Sequence, residues 1–375
     1  MKVLFVTVPV KGDGGRTLPS CYPWHLAAVA GTGGFDAEVF DTGDPRSSLE
    51  GLLIKAGRSG LVFVEGGSWI ASPDGIAPAL KREHPRLGVA CLAQSFCMDD
   101  GGEMIPGVDY VIEGDPEKPL LLLLNALKKG AAGNVDVPGV SAVRNGVLVR
   151  VDGGKCLTDE EMERLPFPPF HQVPCGVYDD LPMETSRGMP FFSPFDSSPF
   201  GSTWRFMSAQ GIYERYYRYR EQCFSRLRSP SPRIVVIDRC FTCKPRRMFD
   251  LSRICKRRGV RIPLIYRSRC SDILEEGLAG VLEPFTQEII LEPGAGYASG
   301  LARLKKGYVL DVIGEAARLL KNSGMGGKAR FVFKTGFPWE TPAQAAQTRD
   351  FAARLEERYG VRCQVKPMKI EASSR

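Results

Sequence analysis

No apolar run in this 375-residue chain is long enough to cross a bilayer: the longest, Leu120–Leu124, is far short of the ~20 residues a spanning helix needs. The N-terminus Met1–Pro9 is apolar with one Lys, but lacks the longer core and small-residue cleavage site of a signal peptide. It runs into Gly/Asp-rich sequence and reads as a first β-strand. Histidine is scarce, at three residues: His25 starts the first helix, His84 precedes Pro85 in a polar turn and reads as surface, and His171 lies in a Pro-rich stretch. Only one C-x-x-C occurs, Cys240–Cys243, and no second pair completes a zinc set. The eleven cysteines are odd in number and scattered. They argue against a disulfide framework and fit a reducing cytoplasm.

What is present points to a soluble globular protein of two or three domains, with 43% hydrophobic and 25% charged residues. The net charge is +7, and it is uneven: 215–269 carries 17 Lys/Arg against Glu221, Asp238 and Asp250. That segment is either the solvated face of two helices or a docking surface for nucleic acid, an acidic partner protein or a phosphate-bearing cofactor. Tyr213, Tyr216 and Tyr217 are spaced for the buried stripe of a helix, which argues against base stacking and nucleic acid.

Short apolar strands alternate with helices through the first part. Strands are expected at 2–8, 37–41, 61–65, 88–92 and 109–113, and helices at 23–30, 73–83 and 117–127. This α/β pattern predicts a doubly wound, Rossmann-like parallel sheet with its ligand at the carboxyl ends of the strands. The second half repeats the alternation, with strands at 232–238, 263–266, 288–294 and from 330, and helices at 248–258, 310–320 and 342–359. The expected division is 1–135, a linker with a hairpin at 136–181, a partial β/α (TIM-like) barrel at 182–359, and a short tail at 360–375.

Glu184-Thr185-Ser186-Arg187-Gly188-Met189-Pro190, continuing to Ser193 and Asp196, resembles the cluster-binding loop of the radical SAM enzymes, T-S-R-G-C-P-x-x-C-x-x-C. Met189, Ser193 and Asp196 stand where that family has its three cysteines. A four-iron, four-sulfur cluster needs thiolates, so none of the usual radical SAM type is expected there. The first part resembles the cobalamin-binding domain attached to one large class of these enzymes. The resemblance is carried by Pro23-Trp24-His25-Leu26-Ala27-Ala28, by Gly107-Val108-Asp109-Tyr110-Val111-Ile112-Glu113-Gly114-Asp115-Pro116-Glu117, and by the series running to Leu165-Pro166-Phe167-Pro168. The Gly-Gly pair usual after the fourth strand is replaced by Gln94-Ser95, and Gly66-Gly67 follows the third strand instead.

The resemblance implies a cobalamin site at the strand ends, drawing on Pro9, Gly66, Gly67, Ser68, Gln94, Ser95, Gly114 and Glu117. It implies that Glu292 meets the ribose of S-adenosylmethionine, with Gly336 and Pro338 near its adenine. The alternatives are a loop-ordering carboxylate at Glu292 and a backbone turn at Gly336 and Pro338. Asp238, Arg267 and Lys334 are catalytic candidates at the barrel mouth. Cys240, Cys243 and Cys270 are candidates for a relocated metal or a redox pair, and His25 for cobalt. The expected function is a cobalamin-binding, radical-SAM-like protein without the usual cluster, moving a methyl or other alkyl group by a polar, non-radical route onto a small-molecule substrate. The alternative is a non-catalytic relative binding a tetrapyrrole, an S-adenosylmethionine-like metabolite or a partner protein, docked on 215–269.

Overall fold

Val3, Leu4, Phe5 and Val6 are all fully buried, which a strand achieves only when both faces of its sheet are covered. The computed structural model describes residues 1–65, 75–93, 106–131, 135–144, 147–149, 151, 153–191 and 200–368. It divides into two units, Met1–Pro182 with Tyr219–Pro232, and Met183–Arg218 with the residues from Arg233 onward.

The first unit contains β1 (Lys2–Thr7), the hairpin β2 (Pro9–Lys11) and β3 (Thr17–Pro19), β4 (Asp36–Asp41), β5 (Leu61–Val64), β6 (Gly88–Leu92), β7 (Tyr110–Ile112), β8 (Val140–Arg144) and β9 (Val147–Val149). Seven of these make one sheet in the order β4-β1-β5-β6-β7-β8-β9, parallel up to β7. Alternate residues serve opposite cores. Val3, Phe5, Leu61 and Phe63 pack with Leu26 and Ala30 of the helix Cys21–Thr32 and Leu120, Leu123 and Leu124 of the helix Glu117–Lys128. Leu4, Val6, Val62 and Val64 pack with Leu52 and Ala56 of the helix Leu49–Ala56 and Leu80 of the helix Ile76–Glu83. This is the doubly wound α/β architecture that the alternation predicts.

The second unit is built on β10 (Leu181–Met183), β11 (Ser186–Arg187), β12 (Arg205–Phe206), β13 (Ile234–Val236), β14 (Leu264–Ser268), β15 (Thr286–Gly294), β16 (Ala329–Thr335) and β17 (Arg362–Pro367). Strands β13 to β17 run parallel in sequence order, joined by helices that include Pro245–Arg258, Leu310–Asn322 and Pro342–Tyr359. Ile237 N–H donates to Met183 O at 3.0 Å, tying in the β10 end.

Three boundaries differ from the sequence reading. The 136–181 stretch is no mere linker: β8 and β9 extend the first sheet antiparallel, with Tyr110 opposite Ala142. The Gly/Asp stretch after β1 is a hairpin that turns through Gly14 (φ 70°) and Gly15 (φ 74°). Residues 362–367 are an edge strand rather than a tail, aligned with β16 from Arg330–Arg362 to Thr335–Pro367. Glu288 pins that edge, accepting from Arg330 Nε and Arg362 Nη2, each at 2.7 Å.

Candidate functional site

At the carboxyl end of β1, Thr7 is fully buried and its Oγ1 has no hydrogen-bond partner. Glu65 follows the end of β5, the strand beside β1. Part of the residue reaches the surface, but its Oε2 is enclosed and unpartnered. Trp24, in the first turn of the helix Cys21–Thr32, is buried with an unpartnered Nε1. Burial lifts the Glu65 carboxyl to about 7, against a smaller lowering by its hydrogen bond to Ser20. An enclosed polar atom without a partner costs about 1–3 kcal/mol, which a bound ligand or an ordered water offsets. All three sit on elements that begin or end at the strand edge where open α/β sheets bind ligands.

The other expected cobalamin residues fall into three groups. Gly66, Gly67, Ser68, Gln94 and Ser95 lie outside the described residues. Pro9 is exposed in the hairpin, and Gly114 (φ 68°) turns the chain toward the helix Glu117–Lys128. His25 and Glu117 are both buried and are brought together, with His25 Nε2 2.7 Å from Glu117 Oε1. The pair joins the helices Cys21–Thr32 and Glu117–Lys128: His25, 3% exposed, has Nε2 engaged by Glu117, and Glu117 faces His25. His84 is half-buried at the surface, with its Nε2 2.8 Å from Leu53 O.

In the second unit the Thr-Ser-Arg-Gly frame is held by a buried polar network. Asp238, 2% exposed, accepts from Thr185 N–H at 2.7 Å, Thr185 Oγ1 at 2.5 Å and Ser186 Oγ at 2.6 Å. Arg247 donates to Thr185 O at 3.0 Å and Phe241 O at 2.6 Å. Arg187 forks onto Glu184 Oε2 at 2.9 and 2.8 Å, and Arg205 donates to Phe200 O and Thr203 O. Gly188 sits at φ 80°, and a Cβ there would lie 2.0 Å from Thr203 O, so only glycine fits. Asp238 therefore clamps the loop and does not stand open at the mouth as a catalytic candidate. Burial holds its carboxyl above the usual range despite Arg247.

Beside this loop a pocket opens at the carboxyl ends of β13, β14 and β15, a cleft of about 660 Å³ counted out into open solvent. Met189, which follows the Thr-Ser-Arg-Gly frame, lines it, with Cys240, Arg267 and Glu292. Arg267 Nε lies 3.4 Å from Glu292 Oε1, and both side chains are more than a third exposed. Glu292 is thus neither deeply buried nor unpaired. Lys334 is half-buried in β16 and does not line this pocket among the described residues. Gly336 (φ 83°) donates its N–H to Glu340, and Pro338 is exposed beside it, which fits the backbone-turn alternative. Ser193 and Asp196 lie outside the described residues.

Of the cysteine candidates, Cys240 and Cys243 are brought together within hydrogen-bond reach of each other, and Cys270 is engaged elsewhere. Cys240 Sγ donates to Asp272 Oδ2 at 3.0 Å, and Cys270 shares a hydrogen bond with Tyr308 while burial pushes its thiol up to about 12. Cys243 is lowered, first by the hydrogen bond from Cys240. Among the described residues no three His, Cys, Asp or Glu form a metal-holding group, so Cys240, Cys243 and Cys270 do not rebuild one. Nor is any described helix long and apolar enough to cross a membrane. The sequence features that a single chain could not reveal are the orphaned Thr7 and Trp24 atoms and the Asp238 clamp, which arise only once distant segments meet.

No family model matches this chain, and no curated protein matches it. Solved structures do. The chain is similar to the cobalamin-dependent S-adenosylmethionine radical enzyme OxsB with aqua-cobalamin and S-adenosylmethionine bound, at TM-score 0.74 and 17% identity over 99% of this chain and 53% of that one. Apo OxsB gives TM-score 0.74 and 16% identity over 100% and 54%. OxsB with aqua-cobalamin gives 0.71 and 16% over 99% and 54%. The chain spans about half the length of these enzyme chains. At such identities the likeness fixes architecture: this chain has the fold shared with a cobalamin-dependent radical SAM enzyme.

Proposed function

We propose that the first unit binds a corrinoid and that the second holds the substrate, with no four-iron cluster of the usual type between substrate and chemistry. The observation that carries this is the set of enclosed, unpartnered atoms at the strand edge: Thr7 Oγ1, Trp24 Nε1 and Glu65 Oε2. A corrin ring is rimmed with carboxamides, which both donate and accept. Trp24 Nε1–H would donate to an amide oxygen. Thr7 Oγ1 can do either. Glu65, with its carboxyl raised to about 7, is half protonated near neutrality and can donate from Oε2. The donor set at the loop does not fit a cluster: Met189, Ser193 and Asp196 offer no thiolate, so no electron-transfer step is routed through them.

Bound cobalamin supplies a carrier for a methyl or other alkyl group, and polar transfer from it needs no radical initiator. The chain's own contribution is to place and enclose. The strand edge orients the corrinoid, and the Asp238 clamp fixes the loop that puts Met189 on the wall of the barrel pocket. The proposal does not depend on S-adenosylmethionine, since Glu292 already faces Arg267.

Titrating the full chain with hydroxocobalamin, following both its absorption and tryptophan fluorescence, tests the reading. Saturable binding tighter than about 100 μM is expected, and Thr7→Val or Trp24→Phe should weaken it about tenfold, the loss of one hydrogen bond to an enclosed site. Binding that never saturates in that range would leave the orphaned atoms unexplained and end the reading.

A further inference from the structure

We infer that Cys240 and Cys243 form a reversible dithiol–disulfide centre of the second unit, which exchanges with small aliphatic disulfides. The inference uses neither the corrinoid nor the first unit.

One turn places both thiols. The chain turns at Phe241 and Thr242, so Cys240 and Cys243 stand at its two ends. The ends of a β-turn lie within about 7 Å, and a disulfide spans about 4.4–6.8 Å between its Cα atoms. The two sulfurs already lie within hydrogen-bond reach of each other. The turn is held from both sides. Phe241 N–H donates to Arg267 O at 2.9 Å, and Phe241 O accepts from Arg247 Nη2 at 2.6 Å. The Phe241 ring is fully buried, with its centroid 4.7 Å from that of Tyr266. Closing the disulfide therefore orders little that is not ordered already, and the entropy that ring closure would cost is largely met by the fold.

The two sulfurs differ, and the difference assigns their roles. Cys243 is half-buried and reaches the surface, whereas Cys240 is only 4% exposed. Cys243 stands just before the helix Pro245–Arg258, whose N-terminal end favours negative charge. Its thiol is lowered by the hydrogen bond from Cys240, and further by Arg247 and Arg269, against burial and Asp272. A lowered, reachable thiol is the attacking one. Cys240 is raised by its hydrogen bond to Cys243, by burial and by Asp272. Its single proton has two acceptors in reach, the Cys243 sulfur and Asp272 Oδ2 at 3.0 Å. Thr242 Oγ1 also donates to Asp272 Oδ2 at 3.0 Å, which fixes that carboxylate. A small disulfide R–S–S–R is attacked by the Cys243 thiolate: the Cys243–S–R bond forms, the R–S–S–R bond breaks and R–S⁻ leaves. Cys240 then gives its proton to Asp272 and attacks the Cys243 sulfur, forming the Cys240–Cys243 bond and expelling the second R–S⁻. The dithiol loses two electrons and two protons, and the small disulfide becomes two R–SH. Because Cys240 lines the barrel-mouth pocket, this step removes an S–H from the pocket wall.

The test is anaerobic equilibration of the full chain at neutral pH in buffers of reduced and oxidised glutathione at varied ratio. The samples are quenched in acid, alkylated and peptide-mapped by mass spectrometry. A disulfide between Cys240 and Cys243 is expected to form and to disappear again as the ratio is reversed. In the reduced chain, iodoacetamide should modify Cys243 before Cys156 and Cys175, although those two are the more exposed. Both measurements use the unaltered protein, so neither depends on a variant that folds. Cys240→Ser should stop at the mixed disulfide of Cys243 with glutathione. Cys243→Ser should slow the reduction of oxidised glutathione at least about tenfold, since the enclosed Cys240 is left to attack alone. Asp272→Asn should slow the closing step about tenfold and leave the first step as it is. Absence of the Cys240–Cys243 disulfide at every ratio would overturn the inference. So would alkylation of Cys243 no faster than of Cys156, a Cys240→Ser chain without the mixed disulfide, or an Asp272→Asn chain that closes as fast as the parent.

Discussion

The strand edge of the first unit carries enclosed neutral or neutralised groups, Thr7, Trp24 and a Glu65 whose carboxyl is raised to about 7. The strand edge of the second carries a close pair of thiols, Cys240 and Cys243, beside an open pocket. Both edges follow from the same topology, parallel strands whose carboxyl ends face one way, yet they select by different physics. Unsatisfied atoms in a dry wall discriminate by hydrogen-bond geometry, because a ligand that leaves them unpaired gains nothing. A thiol pair discriminates by reactivity, because only a partner open to attack by a thiolate engages it. The turn that holds the pair is fixed, by Arg267 O on one side and Arg247 on the other.

The same contrast separates the loop's frame from its ligand positions. Thr185 and Ser186 are bonded to Asp238 and Arg187 to Glu184, and Gly188 passes so close to Thr203 O that no Cβ fits. The frame therefore stands on its own packing, whatever becomes of Met189. The largest expected effect comes from breaking that frame. Asp238→Ala would leave the Arg247 guanidinium and the Thr185 and Ser186 donors without their buried acceptor. Unfolding by urea should show a loss of about 3–5 kcal/mol, the range for removing one partner of a buried charged network. A loss below about 1 kcal/mol would mean that the loop does not depend on Asp238.

The fold was legible because strands buried on both faces read as continuous apolar runs. Val3-Leu4-Phe5-Val6 and Leu61-Val62-Phe63-Val64 announce themselves without any partner in view. The edge strand Arg362–Pro367 did not, because Arg362, Gln364 and Lys366 are polar and its pairing depends on Glu288, more than seventy residues away. The helix Leu49–Ala56 was missed for its shortness, although Ser48 caps it by accepting from Gly51 N–H at 3.1 Å. At the sites, Met189, Arg267 and Glu292 were reached from the motif frame. Arg269, Lys305 and Lys306 were not, since only the fold brings segments thirty-odd residues apart to one pocket. Asp238 and His25 carried a chemical signal in sequence and turned out to be spent on internal partners, a distinction that burial and distance make and residue type does not.

A smaller effect sharpens the first site. Glu65 is raised from its ordinary value of 4.5 to about 7, so the folded chain holds that proton more tightly than the unfolded chain does. Its contribution to stability is complete below about pH 4.5 and is lost as pH rises through about 7. Glu65→Gln removes this slope. The variant should match the parent near pH 4.5 and exceed it by up to about 3 kcal/mol above pH 8, the value of the shift in free energy. Parallel stability–pH curves for the two proteins would place Glu65 in water.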